Sequence, residues 1–485
     1  MAMAMVGTRE WRGREERRYG TVWLMSQHPV TADVASERTQ AHQRSWSWYD
    51  WANSAYVTTT GTVLIAPYLT ALARADACPN LADGEVCTQD LSILGLPIAV
   101  GSLAPYTITV ATIVSALFLL IVGAAADRAP RPTRLLGGFA WVGSLAAMGM
   151  FFLSGTNWQL GVVLLIVGNL CLGSSIVVYD ALLVRIAHPD DRDAVSSRGW
   201  ALGYLGGGLL LALNLGLLQL HDSVGLSYEM AIRVSLFSAG AWWAIFTIIP
   251  VWGLRRVVGT TSVPVAAQGG SVRATFVQLQ TTFREIRLFP QTMLFLLAYL
   301  FFNDGIQTVI YSASLYGSEE LGFEAGQLIL TILLVQFVAF GGALLFGRLA
   351  ATFGAKRVVL GGLVLWVGVV AFAFVVPAGA FRLWLVCAFC IGLVLGGTQA
   401  LSRSMYSQLV PAGRESEFFS FYQAMERGTS WLGTLAFGLM FQFTGSYRLS
   451  IIVLVAFFVI GGLLLLRVDM RRGIADAGNE QPAVV

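Results

Sequence analysis

The chain has 485 residues, of which 56% are hydrophobic and only 12% are charged, and its mean hydropathy is +0.68. Soluble domains carry about 25% charged residues, so this composition excludes an ordinary soluble enzyme and indicates an integral membrane protein. The formal net charge of +3 shows no footprint of nucleic-acid binding, and we expect no nucleic-acid partner.

Apolar segments long enough to cross a bilayer as helices, about 20 residues each, recur along the whole sequence. They predict twelve transmembrane helices at residues 48–73, 105–126, 135–154, 158–184, 198–220, 230–253, 290–316, 325–347, 357–377, 381–405, 417–441 and 446–467.

The basic residues are distributed unequally between the two sides of this arrangement. With the N-terminus inside, Arg427 falls within a span and all other basic residues lie inside, except for four in outer segments: Arg74, Arg233, Arg382 and Arg448. This asymmetry follows the positive-inside rule. It predicts a multi-pass protein with both termini in the cytoplasm.

Two repeated sequence patterns indicate that the chain consists of two related halves. The loop at 123–134, after the second span, shares glycine and clustered basic residues with 347–357, after the eighth. The polar start of the first span is similarly echoed in the seventh. We therefore predict an all-α membrane protein with twelve helices in two pseudosymmetric six-helix bundles.

This division sets the predicted domain boundaries. Residues 1–45 are polar, contain no apolar stretch typical of a cleavable signal peptide, and predict a disordered tail. The complete division is 1–45 as a cytoplasmic N-terminal tail, 46–253 as the N-terminal bundle, 254–289 as a cytoplasmic linker, 290–467 as the C-terminal bundle and 468–485 as a cytoplasmic C-terminal tail.

The first span carries polar residues on one helical face, beginning with Asp50 and Asn53. Asp50 has two interpretations. Near the start of a helix it favours the positive end of the helix dipole, or it takes part in gating or coupling. We retain Asp50 and Asn53 as candidate substrate or coupling residues.

Glycines and cysteines add expectations about packing. Gly199, Gly203 and Gly207 lie four residues apart in the fifth span, and such spacing lets two helices approach closely. Cys78 and Cys87 lie in the long outer loop, where their spacing permits a disulfide without requiring one.

The loop after the second span contains a candidate gate formed by Asp127, Arg128 and Arg131. An acid beside clustered arginines at a helix turn suits an ion-pair latch that opens and closes one side of the protein. The alternative is positive-inside charge alone.

The seventh span carries an acid deep in the predicted membrane. Asp304 lies roughly 20 Å along the helix from Pro290, and Gln307, Thr308 and Tyr311 share its face, with Asn303 beside it. An ionisable group in lipid is costly, so this face should contact protein or a watery cavity shared with the first span. Asp304 is either a neutral residue that joins helices or a substrate or proton site.

The tenth and eleventh spans add three candidates: Gln399, Glu426 and Arg427. Arg427 lies roughly 15 Å from the start of its span, near the predicted depth of Asp304, and we rank it above Arg185 and Arg403. We hypothesise that Asp304 and Arg427 pair in one conformation and separate in another.

The sequence lacks the residues that a nucleotide-driven pump or a membrane enzyme would need. No Gly-rich phosphate-binding motif of a nucleotide-driven pump is present, and all four histidines lie outside the spans. We therefore expect no enzymatic activity, no catalytic residue, no metal site and no cofactor.

Four stretches in order resemble one family: Trp48–Ala55, Gly199–Gly208, Asn303–Thr308 and Gln399–Ser404. They are similar to the vacuole-effluxer branch of the major facilitator superfamily, and the resemblance covers residues 45–470. Asp127 and Arg128 resemble the superfamily's loop between helices two and three, with Pro130 in place of the usual glycine. Asp180 stands where asparagine is expected in many relatives.

The resemblance implies a central cavity, alternating access and, by analogy with the fungal members, efflux of neutral amino acids such as leucine. We therefore expect a secondary active permease that exports a small polar or amphipathic solute, with proton coupling open. Alternatives are a multidrug or lipid-type efflux carrier and a transport-dead sensor. The expected partners are the small solute, protons and membrane lipid, and the expected state is a monomer.

Basic residues are almost all arginine, since Lys356 is the single lysine. This bias is typical of a GC-rich bacterium, which predicts the cell membrane as the location.

Overall fold

The computed structural model describes residues 32–79, 87, 89–93, 95–257, 286–428 and 431–485, and most of them are helical. The helices are α1 (Ala32–Ala55), α2 (Ile65–Ala77), α3 (Leu103–Asp127), α4 (Pro132–Gly149), α5 (Trp158–Ile186), α6 (Arg192–Gln219), α7 (Tyr228–Gly253), α8 (Pro290–Leu315), α9 (Ala325–Phe353), α10 (Ala355–Val375), α11 (Phe381–Gln408), α12 (Glu415–Gly428), α13 (Trp431–Thr444), α14 (Tyr447–Ile452), α15 (Leu454–Arg467) and α16 (Met470–Asp476).

Eleven helices of the described chain are long and apolar enough to cross a membrane. They correspond in order to eleven of the twelve predicted spans. The exception is the eleventh predicted span, 417–441, which contains two shorter helices, α12 and α13. Residues 429 and 430 between them lie outside the described part of the chain.

The predicted boundary at residue 45, between the tail and the first span, differs from the structure. Helix α1 already begins at Ala32, so residues 32–45 are helical and do not belong to a disordered tail. This segment contains alanine, glutamate, glutamine and arginine but no proline or glycine, and such residues have high helix propensity. Of the predicted linker, residues 258–285 lie outside the described part.

Helix ends follow local sequence signals. Pro132 and Pro290 occupy first positions of α4 and α8, where their missing N–H costs nothing. The Ser227 side chain accepts a hydrogen bond from Met230 N at the start of α7. Gly354, with a φ of +85°, separates α9 from α10. These signals place the turns between spans.

The outer loop contains a short β-hairpin and a disulfide. Strands β1 (Asp90–Ile93) and β2 (Leu96–Ala99) pair antiparallel. Cys78 and Cys87 form a disulfide, the option that their spacing left open.

The buried apolar residues form separate cores in the two halves of the chain. One cluster is formed, apart from Ala181, by residues between 295 and 474, and two further clusters lie between residues 46 and 254. The halves meet mainly where α6 packs on α9 and α11, and where α3 packs on α12. Polar side chains concentrate at these contacts.

The segment after the last span packs on the protein. Asn479 Nδ2 donates to the carbonyl oxygens of Gln408 at 2.9 Å and Val410 at 2.7 Å. The Ala483 amide donates to Asp190 Oδ1 at 2.6 Å. The C-terminal segment therefore contacts residues of both halves.

The predicted glycine stripe of α6 brings the first span within backbone contact. A Cβ on Gly207 would lie 2.6 Å from Thr58 Oγ1 and 3.0 Å from the Ser54 carbonyl oxygen. A Cβ on Gly203 would lie 2.7 Å from Ser54 Oγ. Only glycine allows this approach, so the prediction of close packing is confirmed.

We expect Gly207→Ala to lower the thermal unfolding midpoint in detergent, because overpacking of this kind costs about 1–3 kcal/mol. Gly216→Ala is the matched control in the same helix, since no atom lies within 4 Å of its added Cβ. Equal midpoints for the two variants would contradict the close contact. Fluorescence-detected size-exclusion chromatography after heating measures both.

Candidate functional site

A central cavity of about 420 Å³ lies between the halves. Its wall is apolar in part, and its polar lining comes from five helices and the first span: Asp50, Asn53, Ser54, Thr58, Thr62, Asp180, Gln307, Tyr311, Ser314, Thr331, Gln336, Gln399, Arg403, Gln423, Glu426 and Arg427. Tyr311 keeps 60% of its surface exposed although it lies among these residues. The cavity therefore offers solvent-accessible space inside the bundle.

The first span widens where it lines the cavity. Residues Tyr56–Leu64 form a π-helix between α1 and α2, and Thr58 and Thr62 of this segment face the cavity. Thr58 Oγ1 accepts a hydrogen bond of 2.8 Å from Gln336 Nε2 in the other half. Local π-helical turns are frequent at functional sites.

A buried ion network at the cavity joins Arg403 to two aspartates. Arg403 Nη2 lies 2.9 Å from Asp50 Oδ2, and Arg403 Nη1 lies 3.4 Å from Asp180 Oδ1. Arg403 Nε donates to Ser196 Oγ at 3.0 Å, and Tyr179 Oη donates to Asp50 Oδ2 at 2.8 Å. All these residues are buried, and Arg403 lies in α11 whereas its partners belong to α1, α5 and α6.

The network continues from Asp180 towards the eleventh span. Gln423 Nε2 donates to Asp180 Oδ2 at 3.0 Å and to Glu426 Oε2 at 3.2 Å. Tyr299 Oη completes the network by donating to Glu426 Oε2 at 3.1 Å. Asp50, Asp180 and Glu426 place three acids beside the cavity, with Arg403 and Arg427 as the basic groups.

Seven of the ten predicted substrate or coupling residues line this cavity: Asp50, Asn53, Gln307, Tyr311, Gln399, Glu426 and Arg427. Asn303 lies behind them, where its Oδ1 accepts a hydrogen bond of 3.0 Å from Gln399 Nε2. Asp304 and Thr308 are buried and do not belong to the cavity lining.

In this conformation Asp304 does not pair with Arg427, so their pairing in another conformation stays a prediction. Asp304 Oδ2 accepts a hydrogen bond of 2.7 Å from the Gly433 amide, and within the described chain no ion pair joins Asp304 to Arg427. Gly433 is the third residue of α13, so its amide is one of those that a helix start leaves without an intrahelical acceptor. Asp304 therefore caps a neighbouring helix.

The helical period explains why one predicted face divides into two. At 100° per residue, Gln307 and Tyr311 lie about 60° and 20° to one side of Asp304, whereas Thr308 lies about 40° to the other. The first two line the cavity. Asp304 and Thr308 instead contact Gly433, so the prediction that the whole face lines the cavity is wrong.

Arg427 lies at the cavity in this conformation. It lines the cavity, and its Nε has no hydrogen-bond partner among the described residues. A Cβ on Gly173 would lie 3.4 Å from that nitrogen. Arg427 therefore places its guanidinium beside the cavity, although its Nε atom is itself buried.

Arg403, Asp180, Tyr179, Ser196 and Gln423 were not among the predicted site residues. Arg403 belongs to the Gln399–Ser404 stretch, but its position near the end of the span placed it below Arg427. Residues near the helix ends are also buried in this protein. Ser196, Arg403 and Ser404 are examples, and all three lie where the halves meet.

The halves are joined at the end of the bundle that carries Arg185 and Arg192, which we call the basic end. Arg192 Nη1 donates to Ser407 O at 2.9 Å, Ser196 Oγ donates to Ala400 O at 2.7 Å, and Ser404 hydrogen-bonds Asp193. The cavity is closed towards the basic end by these contacts.

The predicted gating residues lie at this end too. Asp127 accepts hydrogen bonds of 2.8 Å from the amides of both Ser416 and Glu417, at the start of α12, where a carboxylate also favours the helix dipole. Arg185, which was not predicted for this role, lies 3.0 Å from Glu415 and 3.7 Å from Asp127. Arg128 is half-buried directly after Asp127, and Arg131 is exposed.

Solved structures share this architecture. The chain aligns with the proton:xylose symporter XylE of the major facilitator superfamily at a TM-score of 0.65 and 14% identity, over 89% of this chain and 96% of that chain. A bacterial homologue of the iron transporter ferroportin in an outward-facing state aligns at a TM-score of 0.61 and 13% identity, over 89% and 98%. These likenesses show that the fold is that of the major facilitator superfamily.

Sequence comparison narrows the assignment. The chain belongs to the family described as "Vacuole effluxer Atg22 like", whose model matches residues 38–478. An uncharacterised MFS-type transporter of Bacillus subtilis, YxiO, is 30% identical over 92% of this chain and 99% of its own. Autophagy-related protein 22 of Cryptococcus neoformans is 31% identical over 58% of this chain and 54% of its own.

Removing Arg403 should be costly because two buried carboxylates would lose their cation. We expect Arg403→Ala to lower the free energy of unfolding by about 3–5 kcal/mol. Asp50→Asn with Asp180→Asn in the same Arg403→Ala chain should recover part of this loss. Thermal unfolding in detergent measures the effect, with exposed Arg348→Ala as the control; equal loss in the two arginine variants would contradict the buried network.

Proposed function

We propose that this transporter exports a small zwitterionic solute such as a neutral amino acid across the bacterial cell membrane by alternating access. The observation that carries the proposal is a cavity lined by both charge signs and an apolar wall. Asp50 and Glu426 can attract an ammonium group, and Arg427 a carboxylate. Val309, Ile310, Leu328 and Ile391 of the same lining suit an apolar side chain.

The cavity size supports a small solute. Ligand cavities of about 300–1,000 Å³ enclose drug-sized molecules, and this one has about 420 Å³. An amino acid with several waters fits this space. The membership in the vacuole effluxer family supports efflux as the direction.

The closed basic end supports a defined step of the cycle. Under the positive-inside rule, the basic end is cytoplasmic and both termini lie in the cytoplasm. Leu328 and Trp384 line the cavity near the starts of α9 and α11, at the opposite end of the bundle. We assign this conformation to the outward-facing side of the cycle of a monomer.

A proteoliposome assay tests the substrate class. Purified protein should exchange labelled neutral amino acids for unlabelled ones, whereas labelled phospholipid should not be translocated and labelled organic anions should compete weakly. Translocation of lipid with no amino-acid exchange would favour the lipid-type carrier. No flux of any solute would favour a sensor.

Arg427→Gln should weaken the apparent affinity for an amino acid about ten- to hundredfold, because hydrogen bonds to charged groups contribute about 1.5–3 kcal/mol. The corresponding amine, which lacks the carboxylate, should be affected little. Exposed Arg348→Gln is the matched control. An equal loss for acid and amine would show that Arg427 does not bind the carboxylate.

Coupling to protons should depend on the cavity acids and not on Asp304, whose carboxylate caps α13 away from the cavity. We expect Asp50→Asn to abolish uptake driven by an imposed pH gradient. Asp304→Asn, which keeps an amide oxygen for Gly433, should retain gradient-driven uptake. The reverse pattern would make Asp304 the coupling residue.

A further inference from the structure

The guanidinium of Arg403 lies in a cage built for a cation. Its Cζ is 4.8 Å from the ring centroid of Trp46, 5.3 Å from that of Trp200 and 5.4 Å from that of Tyr179. Asp50 and Asp180 complete the cage with two carboxylates. Aromatic faces and carboxylates together are the groups that proteins use to hold organic cations.

The cage and its occupant come from opposite halves of the chain. Trp46 and Asp50 belong to α1, Tyr179 and Asp180 to α5, and Trp200 to α6. The guanidinium enters from α11, across the closed basic end. When the halves separate there during alternating access, the cage keeps all of its own groups and loses only the cation.

An empty cage would be unstable in a specific way. Two carboxylates buried beside three aromatic rings repel each other and lack the solvation that water gives them. A second cation that replaces the guanidinium would relieve this cost. A cation bound at this position would therefore stabilise the state that is open at the basic end.

We propose that the cage of Trp46, Tyr179, Trp200, Asp50 and Asp180 is a binding site for an organic ammonium group, which competes with Arg403 for it. The proposal rests on the alternating-access cycle proposed above and names the place where that cycle exchanges one cation for another. Ammonium binding at the cage displaces Arg403 and so favours separation of the halves at the basic end.

The position of the cage supports access by a solute. Asp50, Asp180, Trp200 and Arg403 all line the central cavity, so a solute in the cavity reaches the cage without passing through the protein. The ligand class follows from the lining. Calcium requires six to eight oxygen ligands, whereas the aromatic faces here favour an alkylated ammonium.

Chemical rescue of a variant without the native occupant tests binding directly and without any transport. Arg403→Ala in detergent is heated with tetramethylammonium chloride or with sodium chloride of equal ionic strength. We expect a saturable rise of at least ~2 °C in the unfolding midpoint with the ammonium salt only. Adding Asp50→Asn to the same chain should abolish that rise, and equal rises with both salts would overturn the proposal.

If Arg403→Ala does not fold, Arg403→Gln serves in its place, since glutamine keeps a side chain in the contact without the charge. The expected results are the same. A folded variant that shows no rise with tetramethylammonium would overturn the proposal.

A labelling experiment tests the competition in a chain that keeps Arg403. Ser404→Cys places a thiol in the buried contact with Asp193 at the basic end, in a chain whose free Cys171, Cys387 and Cys390 are replaced by alanine. Tetramethylammonium should raise the rate of maleimide labelling, and sodium should not. Asp50→Asn should remove the effect.

An unchanged labelling rate with tetramethylammonium would overturn the competition between ammonium and Arg403. Because neither experiment measures flux, a transporter that fails to carry amino acids can still show both results. Conversely, amino-acid exchange with no response to tetramethylammonium would agree with the proposed function and contradict ammonium binding at the cage.

Discussion

The ion pairs of buried Arg403 with Asp50 and Asp180 are the interaction on which the closure of the basic end depends. Taking a guanidinium and two carboxylates out of water costs several kcal/mol per ion, and the pairing offsets this cost only while all three remain together. Tyr179, Ser196 and Gln423 each add a hydrogen bond to one of these three charged groups. The network therefore favours one relative position of the two halves.

This network requires a close approach of α6 to the first span. Gly199 lies directly against it, because a Cβ there would be 2.5 Å from Asp50 Oδ2 and 3.0 Å from Arg403 Nη2. The same glycine-rich face brings α6 against the first span along its length. The glycine stripe thus contributes to the ion network as well as to packing, since larger residues would push the carboxylate away from its cation.

A contact that holds two halves together must also be able to break in a transporter. A well-paired buried cluster changes state as a unit, because loss of one partner leaves uncompensated charge on the others. Such cooperative contacts suit a protein that alternates between two conformations. Arg192 and Ser196 also donate hydrogen bonds to main-chain oxygens of α11. These bonds make smaller contributions to the stability of the same conformation.

The sequence predicts the helices, their order and the close contact of α6 well, since hydropathy and glycine spacing are properties of single segments. It predicts the contacts of the buried acidic residues less well. Depth along a helix axis gave Asp304 and Arg427 similar positions, but it carries no information on which neighbour each residue faces. Arg403 was ranked low for the related reason that the buried contact between halves extends to the helix ends.

Asp304 and Asp127 show a second use of buried acids that depth cannot reveal. Asp304 accepts from the Gly433 amide near the start of α13, and Asp127 accepts from the Ser416 and Glu417 amides near the start of α12. Each carboxylate supplies acceptors that these helix starts lack within their own segments. The acids of α3 and α8 therefore position the two helices of the eleventh predicted span, whereas Asp50, Asp180 and Glu426 line the cavity, where a solute can reach them.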